Sequence, residues 1–216
     1  MRIGVDIGGT FTDFVIYHPE TQQVETFKLL STPKNPAEAM LTGLDQISSP
    51  TKRQIIHGST VATNALLERK GAKTALITTE GFRDVLQIGR QNRPSLYDFS
   101  TAPPEPLIPR KWRFEVTERV NHKGEVITPL APEQLATLTQ QIKAAGIESV
   151  AVSLIFSFLH PTHEEAIRSA LEDVGLFVSI SSQVLPTFRE YERTSTTAAN
   201  AYVSPVMDRY LSLIHI

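Results

Sequence analysis

A segment near the amino terminus contains the residue types that bind a phosphate group together with a hard metal ion. Its members are Asp6, Gly8, Gly9, Thr10, Thr12 and Asp13. The paired glycines let the backbone turn sharply and approach a bulky group, and the two threonines offer hydroxyl groups beside the backbone amides. The two carboxylates are ligands that Mg2+ accepts while it keeps several water molecules. We therefore interpret residues 5–13 as a phosphate site with carboxylate ligands for Mg2+.

The residues after the glycines decide the type of this loop. A dinucleotide fingerprint requires G-x-G-x-x-G and a Walker loop requires G-x-x-x-x-G-K-[ST], and residues 8–17 fit neither pattern. The β-branched and aromatic residues 14–17 predict a second strand instead. This arrangement favours a hairpin whose tip amides form an anion-binding concavity. The alternative is a plain hairpin turn in which Asp and Thr cap the backbone.

A second polar segment joins a short predicted strand, residues 55–57, to a predicted helix, residues 61–69. It consists of Gly58, Ser59 and Thr60. A helix amino terminus that is reached from a strand through small polar residues is a ready anion site. An ordinary capped helix that ends at Gly71 is the simpler interpretation. His57, which precedes the segment, fits a hydrogen-bonded structural histidine better than a catalyst.

Two other regions have residue types that could act on a ligand. Residues 89–111 form a long proline-rich loop in which Arg90 and Arg93 can pair with phosphate or carboxylate groups, or with surface acids alone. His160 and His163 have a spacing that suggests a metal site, but a proline at a helix start lies between them. Their rings need not converge, so we interpret both as structural, with Glu164 and Glu165 as favourable charges in the first helical turn.

The predicted elements that position these residues indicate an α/β fold. Alternating residues predict an antiparallel meander of three strands at residues 3–7, 14–17 and 24–29. A helix at 35–47 follows, and a strand at 112–120 is expected to form a hairpin with residues 125–128. Helices at 132–145 and 162–174 alternate with strands at 150–156 and 177–181, which predicts parallel βαβ pairing. A small-residue helix at 194–202 is expected to be interrupted at Pro205 and to resume at 206–211.

Composition narrows the function classes. The chain has 216 residues, a formal net charge of −2 and no cysteine, which excludes disulfides, thiolate metal sites and thiol nucleophiles. There is no basic excess that would indicate nucleic acid or an anionic membrane as a partner. No segment has the length of apolar sequence that a membrane span requires, and no signal peptide is recognisable. A cytoplasmic protein is the simplest expectation.

Five segments resemble one family closely. They are residues 4–13, 57–71, 78–84, 88–98 and 189–197. In their order and spacing they resemble the N-terminal region of the hydantoinase A/5-oxoprolinase family, to which the acetone carboxylase subunit is related. The first segment alone would also fit sugar kinases and other actin-like ATPases, whereas segments 57–71, 78–84 and 189–197 together are specific to this family. Where the family usually has Thr, this chain has Ser59, which keeps the hydroxyl group.

The resemblance implies an actin-like, ribonuclease H-like lobe that binds ATP and Mg2+. It implies catalytic and metal-binding roles for Asp6 and Asp13, and ATP contacts for Gly8, Gly9, Thr10 and Thr12. Gly58, Ser59 and Thr60 become candidates for a second anion or substrate contact. The implied reaction phosphorylates the carbonyl oxygen of a small cyclic amide, such as a hydantoin or 5-oxoproline, so that water can open the ring. A second, large B-type subunit is an implied partner.

The expected organisation is an actin-like lobe at residues 1–110, an α/β continuation at 111–185 and a helix at 186–211 that leads to a second lobe. Residues 212–216 match nothing in the family, and we expect a non-native tail there. Because family chains are several times longer, the expectation is a truncated chain that is inactive alone. Two alternatives stay open: a non-enzymatic domain that docks on a partner, and a lobe of a sugar-kinase-like ATPase.

Overall fold

The computed structural model describes residues 1–32, 35–47, 53–92, 95, 97–98, 100–102 and 104–213. Arg93 and the last three residues of the expected tail therefore lie outside the described residues. The chain forms two compact units, one of Met1–Lys70 with Val206–Ile216 and one of Gly71–Pro205. These boundaries differ from those at residues 110, 185 and 211 that we inferred from the sequence.

The first unit contains a four-stranded sheet, which we call the hairpin sheet. Its strands are β1 (Arg2–Ile7), β2 (Phe11–His18), β3 (Gln23–Leu30) and β4 (Gln54–Ser59). The strand order is β3-β2-β1-β4, with β1–β2 and β2–β3 antiparallel and β1–β4 parallel. Helix α1 spans Pro36–Gln46 and helix α2 spans Val61–Leu67. The antiparallel start that the alternating residues predicted is thus confirmed.

One face of the hairpin sheet forms the core of the first unit. Ile3, Val5 and Ile7 alternate along β1 and are all buried, as a period of two requires. On β2, Phe14 is fully buried and stacks on Phe27 with ring centroids 4.5 Å apart. Met207 and Tyr210 from the last helix complete this core.

A glycine in α1 makes room for this aromatic pair. An ideal Cβ at Gly43 would lie 2.0 Å from Cζ of Phe14. We expect Gly43→Ala to lower the free energy of unfolding by about 1–3 kcal/mol, because the methyl group overpacks a filled core. Urea denaturation measures this loss. The matched control is Thr42→Ala on the exposed side of the same helix, and equal stability of the two variants would contradict the packing argument.

The second unit contains a parallel sheet. Its strands are β5 (Thr74–Thr79), β6 (Arg113–Val116), β9 (Ser149–Ser153) and β10 (Phe177–Ile180), in the order β10-β9-β5-β6. Strands β7 (Arg119–Val120) and β8 (Val126–Thr128) form a separate hairpin. Four helices alternate with these strands along the chain: α3 (Val85–Ile88), α4 (Pro132–Ala144), α5 (Thr162–Glu172) and α6 (Ser181–Val184). The last helix, α7 (Glu190–Ser212), continues past the boundary of the unit at Pro205. The predicted parallel βαβ succession is confirmed.

Three expectations about local structure were wrong. The strand expected at 112–120 is divided, because β6 joins β5 in the parallel sheet while β7 alone pairs with β8. Helix α2 ends at Leu67 rather than at Arg69, which takes a left-handed φ of 56°. Pro205 does not interrupt α7, where buried Tyr202 and Tyr210 on either side anchor the helix. Tertiary packing at these points outweighs local propensity.

In the described part of the chain, no helix combines the length and the apolar character that crossing a bilayer would require.

Candidate functional site

The hairpin sheet aligns the two predicted metal ligands in one row across neighbouring strands. Asp6 on β1 lies opposite Asp13 on β2, and Gly58 on β4 lies on the other side of Asp6. The row continues to Lys28, which is the partner of Asp13 on β3. Directly opposed residues share a sheet face, so these side chains lie on the face opposite to the buried core. We call this row the carboxylate row.

The electrostatics of the carboxylate row suit a cation. Lys28 Nζ lies 3.2 Å from Asp13 Oδ1, and both side chains are about half exposed. Asp6 is exposed, and an ideal Cβ at Gly58 would lie in ordinary contact with its Oδ1, at 3.7 Å. Among the described residues, no group of three or more acids or histidines converges on one point. Two carboxylates, with water and phosphate oxygens for the other positions, are the ligand set that Mg2+ accepts.

The hairpin tip explains why two glycines stand there. The backbone N–H of Gly8 donates to the carbonyl of Phe11 at 3.0 Å, and this bond closes the turn. An ideal Cβ on Gly8 would lie 3.0 Å from that same oxygen, and one on Gly9 would lie 3.4 Å from Nδ2 of Asn64. Strand β2 begins at Phe11, so Thr12 and Asp13 belong to the strand and only Gly8, Gly9 and Thr10 form the tip.

A cavity of about 230 Å3 lies beside the tip within the first unit. It is lined by Gly8, Gly9 and Thr60 from the predicted set, and by Ser31, Asn64 and Lys70, which the sequence analysis did not single out. The other predicted residues do not line it: Asp6, Thr10, Thr12, Asp13, Gly58 and Ser59. Pockets for drug-sized ligands measure roughly 300–1,000 Å3, so this cavity fits part of a nucleotide, such as its phosphate chain.

Thr12 supports the hairpin tip from below. It is fully buried, and its hydroxyl lies 3.0 Å from the hydroxyl of Ser31. Ser31 donates its own proton to the carbonyl of Gly8 at 2.8 Å, so Thr12 must donate to Ser31. The backbone N–H of Ser31 also donates to the carbonyl of Thr10 at 2.9 Å. We call these bonds the tip clamp; within it Thr12 holds the loop rather than facing a ligand.

Removing the tip clamp should loosen the phosphate loop. We expect Ser31→Ala to weaken Mg·ATP binding about two- to tenfold, because each lost hydrogen bond is worth roughly 0.5–1.5 kcal/mol. Ser31→Thr, which keeps the hydroxyl, should restore most of the affinity. Isothermal titration calorimetry measures both variants. Ser212→Ala, which loses a similar hydroxyl-to-carbonyl bond at the end of α7, is the control and should bind as the unmodified chain does.

The second polar segment starts helix α2. Strand β4 runs to Ser59, whose hydroxyl accepts the backbone N–H of Val61 at 3.1 Å and thereby satisfies one donor of the helix start. The backbone N–H of Thr60 donates to Ile7, and Asn64 Nδ2 donates to the Thr60 hydroxyl at 3.3 Å. Ser59 thus acts as a cap, as the simpler interpretation expected, while Thr60 and Asn64 present polar groups to the cavity.

The remaining candidates have structural contacts. The His57 ring lies 5.7 Å from the ring of Tyr210, whose pKa is raised by burial, with the Ser59 hydroxyl opposing the rise. Arg90 Nε pairs with Glu192 Oε1 at 2.8 Å, which fits the ion-pair interpretation of the long loop. His163 Nδ1 lies 2.8 Å from Glu118 Oε2, a buried carboxylate that also accepts from the Thr79 hydroxyl.

Known proteins resemble this chain both in sequence and in structure. A family model described as the hydantoinase/oxoprolinase N-terminal region matches residues 2–175. The alpha subunit of caprolactamase from Pseudomonas jessenii is 37% identical over 99% of this chain, and 5-oxoprolinase 1 from Arabidopsis thaliana is 36% identical over 98% of it. The crystal structure of the ATP-dependent caprolactamase from P. jessenii superposes with a TM-score of 0.87 at 34% identity over the whole chain. A nucleotide-free acetone carboxylase structure does so with a TM-score of 0.86 at 25% identity.

The chain covers only part of these proteins. It spans 32% of the caprolactamase subunit and 19% of the plant 5-oxoprolinase, and 33% and 34% of the two solved chains. The mixed α/β fold of both units agrees with the caprolactamase and acetone carboxylase structures. The resemblance on which the sequence analysis relied is thereby confirmed.

Proposed function

The chain belongs to the hydantoinase/oxoprolinase N-terminal family, and from that premise we propose that it is the nucleotide-binding part of an ATP-dependent hydrolase of small cyclic amides. The observation that supports this most is the carboxylate row directly beside a glycine tip: Asp6 lies two residues before Gly8, and Asp13 lies two residues after the start of β2 at Phe11. One relative in the comparison is called an ATP-dependent caprolactamase and another a 5-oxoprolinase, which are activities on cyclic amides.

One set of residues contacts the phosphate chain, and another set binds the metal ion. Gly9 and Thr10 present backbone amides to the phosphate chain, Gly8 closes the turn that supports them, and Thr60 adds a hydroxyl from the start of α2. Asp6 and Asp13 hold Mg2+ on the open side of the sheet, and Lys28 limits repulsion between the second carboxylate and the phosphates. Such groups act by positioning and by neutralising charge, which is what phosphoryl transfer requires of a protein.

The bound nucleotide supplies the chemistry that an unreactive amide needs. Transfer of the terminal phosphoryl group to the amide oxygen releases ADP and opens the carbonyl carbon to attack by water. The ring C–N bond then breaks as the nitrogen takes up a proton, and a second water molecule hydrolyses the resulting acyl phosphate to the carboxylate and inorganic phosphate. The family premise supports this reaction.

Two measurements test the proposal. Mg·ATP titrated into this chain should produce a heat of binding that disappears when Mg2+ is chelated, whereas no binding at millimolar nucleotide would contradict a nucleotide site. A chain extended to the length of the relatives should then hydrolyse ATP only when 5-oxoproline, a hydantoin or caprolactam is added. ATP hydrolysis that ignores all three amides but responds to a hexose would favour the sugar-kinase alternative.

A partner-docking role is the second candidate. The face of the hairpin sheet with the carboxylate row also exposes apolar side chains, with Val15 46%, Val24 60% and Ile56 61% accessible. Apolar side chains grouped on one face favour burial against another protein surface. The test is binding to a hydantoinase B-type subunit. Docking without nucleotide chemistry would be supported if Val24→Asp weakened this binding and Asp6→Asn left it unchanged.

A further inference from the structure

A second cavity, of about 220 Å3, lies wholly within the second unit. One wall is a single face of α7, formed by Tyr191, Ser195 and Ala198 at helical spacings of four and three residues. The rest of the lining combines one acid, Glu105, with the apolar side chains of Leu86, Pro106 and Leu107. Neither the nucleotide chemistry nor the tip clamp uses this cavity.

Two segments that are far apart in sequence are fixed together at the rim of the cavity. Gly89 takes a left-handed φ of 54°, and an ideal Cβ there would be in ordinary contact with the Tyr191 ring, at 3.6 Å. The ion pair between Arg90 Nε and Glu192 Oε1, at 2.8 Å, joins the same two segments one residue further along each. Both belong to the stretches 88–98 and 189–197 on which the family resemblance depends.

The backbone near this rim is strained. Gln91 and Arg189 have φ values of 57° and 77°, a region that side-chain-bearing residues enter at a cost of about 1–3 kcal/mol each. Gln91 directly follows the ion-paired Arg90, and Arg189 directly precedes α7. Strain of this kind persists where the surrounding structure holds it, and it is concentrated at sites that bind ligands.

We propose that this cavity binds the ring of a small uncharged cyclic amide. The proposal rests on the proposed function, but it concerns a different site from the nucleotide contacts. A dry cavity of about 150 Å3 accepts benzene, so a cavity of 220 Å3 accepts a ring of somewhat larger size. The leucine and proline side chains contact the methylene groups of the ring.

The polar groups of the helix wall match the amide edge. In a small ring the amide is cis, so its C=O and N–H lie side by side. The Ser195 hydroxyl donates to the carbonyl of Glu192 at 3.2 Å, which leaves its oxygen free to accept the ring N–H. The Tyr191 phenol supplies a donor for the ring carbonyl. A ring without the N–H should therefore bind more weakly.

The test uses ε-caprolactam as the probe and the chain without nucleotide. Saturation-transfer NMR should show ring protons of caprolactam in contact with the protein, and N-methylcaprolactam should bind about five- to tenfold more weakly, since one hydrogen bond is lost. Ser195→Ala should weaken caprolactam binding by a similar factor and should remove the preference for caprolactam over N-methylcaprolactam. Thr196→Ala, on the exposed side of the same helix turn, is the control.

Two further outcomes separate this inference from the proposed function. Asp6→Asn should leave caprolactam binding unchanged, because no residue of the carboxylate row lines this cavity. Tyr191→Phe, which keeps the ring volume, should weaken caprolactam binding without changing the melting temperature of the protein. Absence of caprolactam binding, or equal binding by Ser195→Ala and the control, overturns the cavity assignment even when Mg·ATP binds normally. Caprolactam binding without any Mg·ATP binding would instead overturn the nucleotide site.

Discussion

Asp6→Asn is expected to weaken Mg·ATP binding by about 10- to 100-fold, the largest functional effect of any single substitution in the first unit. The substitution removes one negative charge and one strong metal ligand but keeps the side-chain volume, and interactions with a charged group are worth roughly 1.5–3 kcal/mol. Asp6 is exposed, so the folded structure should tolerate asparagine. Calorimetric titration of Mg·ATP measures the loss, with circular dichroism to verify folding.

The neighbouring acids provide the comparison for this experiment. Asp13→Asn should act in the same direction but more weakly, because Lys28 already balances part of the Asp13 charge at 3.2 Å. Asp45→Asn, an exposed acid on α1 outside the carboxylate row, should leave the affinity unchanged. If all three variants bound Mg·ATP equally well, the carboxylate row would have no part in metal binding.

Glu164→Ala is expected to lower the free energy of unfolding by about 3–5 kcal/mol, because it leaves three donors without an acceptor and removes a carboxylate charge that offsets the buried charge of Arg193. The Glu164 carboxylate is fully buried and accepts three hydrogen bonds, from the backbone of Leu154, the hydroxyl of Ser181 and the backbone of Ser182. Arg193 is also fully buried; burial lowers its pKa, while the charges of Glu164 and Glu190 raise it.

The adjacent residue tests whether burial or helix position causes the effect. Glu165 lies in the same first turn of α5 but is exposed, so Glu165→Ala should change stability by less than about 0.5 kcal/mol. Urea denaturation followed by circular dichroism gives both values. A loss of similar size in the two variants would mean that the helix-dipole interpretation of these acids is sufficient and that the buried contacts of Glu164 add nothing.

The sequence could predict the hairpin because its signals are local. A Gly8-Gly9 pair between two segments of alternating apolar and polar residues is typical of a tight turn. The observed register places Asp6 opposite Asp13, as such a turn requires. The parallel strands and helices of the second unit were predictable for the same reason, since Gly146 and Gly175 both take the left-handed conformation that ends a helix.

What the sequence could not show depends on contacts between distant residues. The tip clamp joins Thr12 to Ser31, which are 19 positions apart, and no local pattern distinguishes a supporting threonine from one that faces a ligand. Glu118 breaks the expected strand at 112–120, because its carboxylate is buried against Thr79 and His163. Asn64 has one signal that could have been used, its position four residues after Thr60 on the same helix face.

The division of the chain has a consequence for how it is made on the ribosome. The first unit consists of residues from both sides of the second, and its core includes Met207 and Tyr210 from the end of α7. The second unit is a continuous stretch, Gly71–Pro205, so it can fold during synthesis as soon as that stretch has emerged. The hairpin sheet, although synthesised first, must wait for α7 before its core closes. A slow step or a chaperone contact in biosynthesis should therefore involve the amino-terminal strands.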